Sequence, residues 1–95
     1  MNDTSLNSAR RTLATEIEGL QALSATLDDA FTQAVTVLAN ISGRVIVSGM
    51  GKSGHIGAKI TATMASTGTP AQFVHPSEAS HGDLGMITQN DAILA

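Results

Sequence analysis

A run of β-branched residues followed by closely spaced glycines, from Val45 to Gly57, constrains the fold of this chain more than any other stretch. The residues Val45–Val47 suit a strand that is buried on both faces. Gly49, Gly51 and Gly54 suit a tight turn into a helix, because they have no Cβ to obstruct a close approach. The stretch therefore predicts the first βα unit of a parallel α/β domain.

Two amphipathic helices are predicted before this unit. The apolar residues of the first recur mainly at a seven-residue spacing: Leu6, Leu13, Leu20 and Leu27, with Ile17 and Leu23 beside them. This stripe packs either on its own domain or on another subunit. Asp28 or Asp29 can cap the second helix, which keeps Phe31, Val35 and Leu38 on one face.

The helix after the glycine turn is predicted over residues 53–67. Three apolar residues at a spacing of four are expected to face the sheet: Ile56, Ile60 and Met64. Gly57 and Ala58 would let this helix sit close to the sheet. Gly68 suits the left-handed residue that ends a helix, and Thr69-Pro70 prevents its continuation.

Two further strands are predicted, over residues 71–75 and 91–95, with a polar, aperiodic loop over 76–85 between them. The chain thus divides into N-terminal helices (1–43) and a βαβ core with a ligand loop (44–95). We expect an α-α-β-α-β-loop-β order. A third parallel strand with no helix after it would leave one sheet face bare, which favours a doubly wound sheet truncated after that strand.

Composition narrows the function classes. The 95 residues carry a net charge of −3 and no basic run, which argues against a nucleic-acid partner. The absence of cysteine excludes disulfides and thiolate metal sites. With no signal peptide and no apolar stretch long enough to span a bilayer, we expect a cytoplasmic protein with no membrane partner.

The glycine turn is the first candidate site. Gly49–Gly54 fits G-x-G-x-x-G between a strand and a helix, where unpaired amides can bind a phosphate, and Lys52 and Ser53 add a cation and a hydroxyl. A dinucleotide site also wants an acidic residue at the end of the second strand, where His75 stands. A sugar or mononucleotide phosphate, a dinucleotide and a purely structural turn stay open.

The second candidate is the segment 75–83, which holds two imidazoles and two carboxylates: His75, Glu78, His81 and Asp83. These groups could bind zinc, could move protons near neutral pH, or could form a hydrogen-bonded structural loop. His55 lies in the first turn of the site helix, where a cation is disfavoured, so a hydrogen-bonding or packing role is expected for it.

Three blocks together resemble a known family. They are Gly49–Gly57, Ala65–Pro70, and the stretch from Phe73–Pro76 through Glu78-Ala79 to His81–Met86. In this order they resemble the N-terminal part of a sugar isomerase (SIS) domain, specifically that of the arabinose 5-phosphate isomerase family. The likeness is close over residues 43–95 and loose before them, and Ser77 stands where many members carry glycine.

The resemblance implies aldose–ketose isomerisation of D-arabinose 5-phosphate and D-ribulose 5-phosphate, which feeds synthesis of the lipopolysaccharide sugar Kdo. It implies a catalytic role for Lys52. It also implies a substrate site that includes Gly51, Ser53 and Gly54 in the turn and Gly68, Thr69, His75 and His81 elsewhere. No cofactor is implied, although His75 could also hold zinc.

The apolar N-terminal stripe and the unfinished sheet both favour association, so we expect a homo-oligomer, a dimer or tetramer. The resemblance places the acid and base glutamates after Ala95, so we expect the 95 residues alone not to convert arabinose 5-phosphate to ribulose 5-phosphate. Two alternatives remain: a non-catalytic SIS module that binds a phosphosugar as a regulatory ligand, and a dinucleotide-binding half-domain. Saturable NAD binding that arabinose 5-phosphate does not displace would indicate the second alternative.

Overall fold

The computed structural model describes residues 3–80 and 82–95. Its helices and strands run in the order α1 (Thr4–Thr26), α2 (Asp29–Asn40), β1 (Val45–Val47), α3 (Gly51–Ser66), β2 (Ala71–Phe73), α4 (Pro76–Ser80), a 3₁₀ helix (Asp83–Met86) and β3 (Ala92–Leu94). The chain divides into two compact units within α2, between Gln33 and Ala34. The α-α-β-α-β-loop-β order predicted from the sequence is confirmed.

Side-chain caps fix where the first two helices begin. The carboxylate of Asp3 accepts a hydrogen bond from the amide of Leu6 at 2.8 Å at the start of α1. Asp28, one of the two predicted caps, accepts from the amide of Ala30 at 2.9 Å before α2. Each carboxylate satisfies an amide that the helix itself leaves unpaired. The leucines of the α1 stripe are exposed.

The sheet is built around β1. All three strands are parallel in the order β2-β1-β3, so that Ile46 pairs with Gln72 on one side and with Ile93 on the other. Val45, Ile46 and Val47 are 0–2% exposed, and Val74, just after β2, is 5% exposed. The predicted strand with two buried faces is confirmed.

The face that α3 turns to the sheet differs from the predicted one. Gly54 and Gly57 are buried, whereas Ile56 is 62% exposed and Ile60 37% exposed. A Cβ built on Gly57 would lie 3.2 Å from the side chains of Phe73 and Val47, so the helix sits too close to the sheet for a side chain there. The expectation that Ile56 and Ile60 cover the sheet is wrong because glycines allow this close approach; Met64 is half-buried.

The end of α3 follows the predicted chemistry. Gly68 has a φ of +96°, in the left-handed region that favours glycine. The amide of Thr69 donates to the carbonyl of Met64 at 2.9 Å, and that of Gly68 to the carbonyl of Ala65 at 3.4 Å. This pair of bonds is the Schellman motif, which satisfies two carbonyls at the helix end.

The segment between β2 and β3 is more ordered than the sequence predicts. Instead of an aperiodic loop, it contains the short helix α4 and the 3₁₀ helix. Pro76 is the first residue of α4, a position at which its missing N–H costs no hydrogen bond. His81 lies outside the described residues, as does the side chain of Asp83. Within the described parts of the chain, no helix is long and apolar enough to cross a membrane.

A polar network at the amino end of the sheet joins β3 to β1. The side chain of Asp91, 2% exposed, accepts from the amide of Arg44 at 2.7 Å and from the amide of Thr88 at 2.8 Å. The Arg44 guanidinium lies 3.7 Å from the same carboxylate and also donates to the carbonyl of Met86 at 2.9 Å. The hydrogen bond between Arg44 and Asp91 joins residues that are 47 positions apart in the sequence.

The hydrogen bond from the Arg44 amide, and then that from Thr88, lower the pKa of Asp91 below its ordinary 3.8. A lowered folded-state pKa stabilises the fold above the unfolded value, and this stabilisation is lost as pH falls through the folded-state pKa. We therefore predict that Asp91→Asn lowers the free energy of unfolding at about pH 6, and that the difference from the unmodified chain becomes smaller towards about pH 3. Urea unfolding followed by the NMR signals of Val45–Val47 measures both values.

Glu18→Gln is the matched control, since it removes the same charge from an exposed position on α1. If the loss of unfolding free energy caused by Asp91→Asn stayed constant over this pH range, the ionisation of the carboxylate would contribute nothing to stability.

Candidate functional site

The strand order places a crevice beside the carboxyl end of β1. The chain goes from β1 to β2 on one side of β1 and then to β3 on its other side, so the strand order reverses direction at β1. In open parallel sheets, ligands bind outside the carboxyl ends of the strands at such a point. A groove of about 300 Å³ lies there, between α3 and the ends of β1 and β3. Its lining includes Ser48 and Ser53.

The turn from β1 into α3 depends on two glycines whose backbones touch. A Cβ built on Gly54 would lie 2.7 Å from the carbonyl oxygen of Gly49, and one built on Gly49 would lie 3.0–3.1 Å from backbone atoms of Ser53 and Gly54. Gly51, the first residue of α3, has a φ of +56°. The sequence therefore needs glycine here for backbone packing as well as for any ligand.

The amino end of α3 is open, unlike those of α1 and α2. Its first intrahelical bond runs from the amide of Gly54 to the carbonyl of Met50 at 3.2 Å, so the amides of Gly51, Lys52 and Ser53 precede the helical ladder. Met50 makes no side-chain cap, and the first turn carries no acidic residue. Exposed amides at the positive end of a helix dipole attract anions.

Polar side chains surround these amides. Lys52 and Ser53 are exposed, and Lys52 has no carboxylate partner among the side chains that the structure describes. Lys52 is the second residue of α3, so its backbone belongs to the open turn. Ser48 was missed by the sequence reasoning, although it is the first polar residue after a fully apolar strand and lies at the strand end where ligands bind.

His75 lies just after the carboxyl end of β2, the strand that neighbours β1 on the side opposite β3. It is half-buried, and its Nδ1 lies 2.8 Å from the Ser77 Oγ and 3.1 Å from the Ser77 amide nitrogen. The carbonyl of His75 accepts from the amide of Ala79 at 3.0 Å. His75 is therefore the residue that caps α4.

The remaining predicted site residues are more dispersed. Gly68 and Thr69 precede β2, at the amino edge of the sheet, where the carbonyl of the adjacent Pro70 accepts from the amide of Val45. The length of the sheet thus separates them from the open turn of α3. Their proposed contact with substrate stays a prediction, as does that of His81, which is not described. His55 is exposed and makes no hydrogen bond with the described residues.

A zinc site is not assembled from the described residues. None of these residues forms a group of three or more His, Cys, Asp or Glu side chains able to hold a metal ion. The Nδ1 of His75 is already engaged by Ser77. The ring does not fit the role of a zinc ligand.

These features define a class: an open parallel α/β domain with a glycine turn and an uncapped helix after its central strand. Residues 38–95 match the SIS domain family, and the chain belongs to this family. The resemblance read from the three sequence blocks is confirmed.

Curated relatives are similar over almost the whole chain. Arabinose 5-phosphate isomerase GutQ of Salmonella typhi is 55% identical over 94 residues, which cover 99% of this chain and 29% of the relative. Arabinose 5-phosphate isomerase KdsD of Pseudomonas aeruginosa is 56% identical over 90 residues, 95% of this chain and 28% of the relative. The chain therefore spans less than a third of these relatives.

Solved structures share the fold. E. coli CFT073 c3406, solved in complex with arabinose 5-phosphate, is 39% identical with a TM-score of 0.86, over 98% of this chain and 50% of that protein. The Listeria monocytogenes protein lmof2365_0531 is 28% identical with a TM-score of 0.87, over the same shares of the two chains. The order of helices and parallel strands described above is thus found in longer proteins.

We predict that Gly54→Ala distorts the turn, because its methyl group would meet the fixed carbonyl of Gly49. Such overpacking costs about 1–3 kcal/mol. Gly85→Ala is the control, since a Cβ there meets nothing within 4 Å. Urea unfolding of both variants measures the difference. Equal free energies of unfolding would show that the turn accommodates the methyl group without loss of stability.

Proposed function

We propose that this chain supplies the phosphate-anchoring part of the site of an arabinose 5-phosphate isomerase. The observation that carries the proposal is the open amino end of α3, whose uncapped first turn contains Lys52 and Ser53 and follows the carboxyl end of the central strand. The names of the curated relatives and the sugar-phosphate complex of the structural neighbour support the choice of sugar.

The reaction moves protons between adjacent carbons and their oxygens. A proton leaves C2 of D-arabinose 5-phosphate while O1 takes up a proton, which gives an enediol. O2 then loses its proton while C1 takes one up, which gives D-ribulose 5-phosphate. Negative charge develops on the sugar oxygen as the first proton leaves, so a cation or proton donor at that oxygen lowers the barrier. In this proposal Ser53 and the amides of α3 hold the phosphate, and Lys52 stabilises the oxyanion.

The proposal also covers the metabolic pathway, the cellular location and the subunit assembly. The reverse reaction supplies arabinose 5-phosphate for Kdo synthesis in the cytoplasm, and the enzyme works as a homo-oligomer. The chemistry requires no redox cofactor, because no electron is transferred to an external acceptor. The exposed leucines of α1 support association, since single apolar residues on a surface are common but a stripe along one helix favours a partner.

Phosphate binding by the turn can be tested directly. We expect D-arabinose 5-phosphate to shift the backbone amide NMR signals of residues 51–54 in a saturable way, because these amides would donate to the phosphate. D-Arabinose without phosphate is the control and should leave these signals unchanged. Shifts confined to other residues would leave the turn with a structural role only, and saturable NAD binding that arabinose 5-phosphate does not displace would favour a dinucleotide site.

The role of Lys52 can be tested in a chimera in which this chain replaces the 94 aligned residues of GutQ from Escherichia coli (strain K12), to which it is 53% identical. We expect Lys52→Met to lower the kcat of the chimera about 100-fold or more, as removal of an oxyanion donor does. Lys59→Met removes another exposed lysine of α3 and should change kcat less than about threefold. Similar effects of the two substitutions would show that Lys52 is a surface charge.

A further inference from the structure

Two hydrogen-bond donors converge on one ring nitrogen of His75. The backbone N–H of Ser77 points to Nδ1 with an N···N distance of 3.1 Å, and the hydroxyl of Ser77 lies 2.8 Å from the same atom. A ring nitrogen with a lone pair accepts such bonds, whereas a protonated one repels them.

The backbone bond decides which nitrogen carries the proton. Ser77 is the second residue of α4, and its amide lacks a partner within the helix, so His75 Nδ1 takes the place of a capping oxygen. A backbone N–H cannot rotate away, as a hydroxyl can. Nδ1 is therefore the acceptor, the Ser77 hydroxyl also donates to it, and in the neutral ring the proton lies on Nε2.

We propose that Ser77 is a positioning residue that holds His75 in the Nε2–H tautomer, so that the ring presents a hydrogen-bond donor at the carboxyl edge of the sheet. Such a donor suits a sugar hydroxyl or carbonyl oxygen. This use of the donor rests on the proposed function, whereas the tautomer itself does not.

The same arrangement opposes zinc at His75. A histidine that binds a metal through one nitrogen generally donates the N–H of the other to a carbonyl, carboxylate or water. Here the other nitrogen faces two donors, so binding of zinc at Nε2 would force a proton onto Nδ1 against the Ser77 amide. Zinc at Nδ1 would have to displace both contacts.

The tautomer is measurable by ¹H–¹⁵N NMR correlation of the imidazole rings in mildly alkaline buffer, without ligand. We expect Nε2 of His75 to be protonated and Nδ1 to be an acceptor in the unmodified chain. Ser77→Ala removes one of the two donors but keeps the backbone N–H, so Nε2–H should stay the main form while the share of the Nδ1–H form rises, and Ser77→Thr, which restores a hydroxyl, should reverse this rise. An unchanged share in Ser77→Ala would show that the hydroxyl takes no part. A protonated Nδ1 in the unmodified chain would overturn the proposal.

Ser80→Ala is the matched control. Its hydroxyl donates to the carbonyl of Ser77 at 2.8 Å inside the same short helix. This substitution should leave the signals of His75 unchanged. If Ser80→Ala shifted the tautomer as much as Ser77→Ala, the effect would come from loosening of α4, and the positioning role of Ser77 would be refuted.

Zinc and sugar phosphate provide two further measurements. Equimolar Zn²⁺ should leave the His75 signals in place, and saturable binding there would overturn the inference. His75→Phe, which removes the Nε2–H donor, should weaken binding of D-arabinose 5-phosphate roughly twofold to tenfold, the loss expected for one hydrogen bond. If the sugar binds neither chain, the proposed function fails while the tautomer assignment stands on its own measurement; if it binds both equally, the donor role of His75 fails.

Discussion

The structure depends on the burial of one short strand. β1 is hydrogen-bonded along both edges and nearly inaccessible to water, so its side chains can only be apolar. Such a strand cannot itself hold a polar ligand. Chemistry is confined to its ends, and only the carboxyl end meets the amino end of a helix and a crevice between neighbouring strands. The position of the candidate site thus follows from the burial of three residues.

Local rules predicted much of this fold from the sequence. Three β-branched residues specified β1, and Gly68 followed by Thr69-Pro70 specified the end of α3, because both signals act over a few residues. The buried face of α3 could not be predicted in the same way. The close approach of the helix at Gly57 was predicted, but the spacing of four favoured Ile56 and Ile60 as the buried residues, and which side chains of the sheet Gly57 meets is determined only by the tertiary structure.

Long-range polar contacts were also invisible in the sequence. Arg44 and Asp91 are ordinary charged residues 47 positions apart, and only the parallel pairing of β1 with β3 brings them together. For the site, the glycine turn and its lysine and serine could be predicted, because a strand, glycines and a helix form a local unit. The hydrogen bonds between His75 and Ser77 were not predicted, because they depend on the helix that begins at Pro76 and is capped by His75.

The two ends of β1 show how stability and function are divided along a single strand. At the amino end, Asp91 accepts hydrogen bonds from two backbone amides and thereby joins β3 to β1. At the carboxyl end, α3 begins after a methionine that cannot cap and a glycine in the left-handed region, so its first amides stay open. A serine or aspartate in place of Met50 would satisfy one of these amides and stabilise the helix by about 1 kcal/mol. It would also compete with any anion for the same donor, so an uncapped helix here is the arrangement that a phosphate site requires.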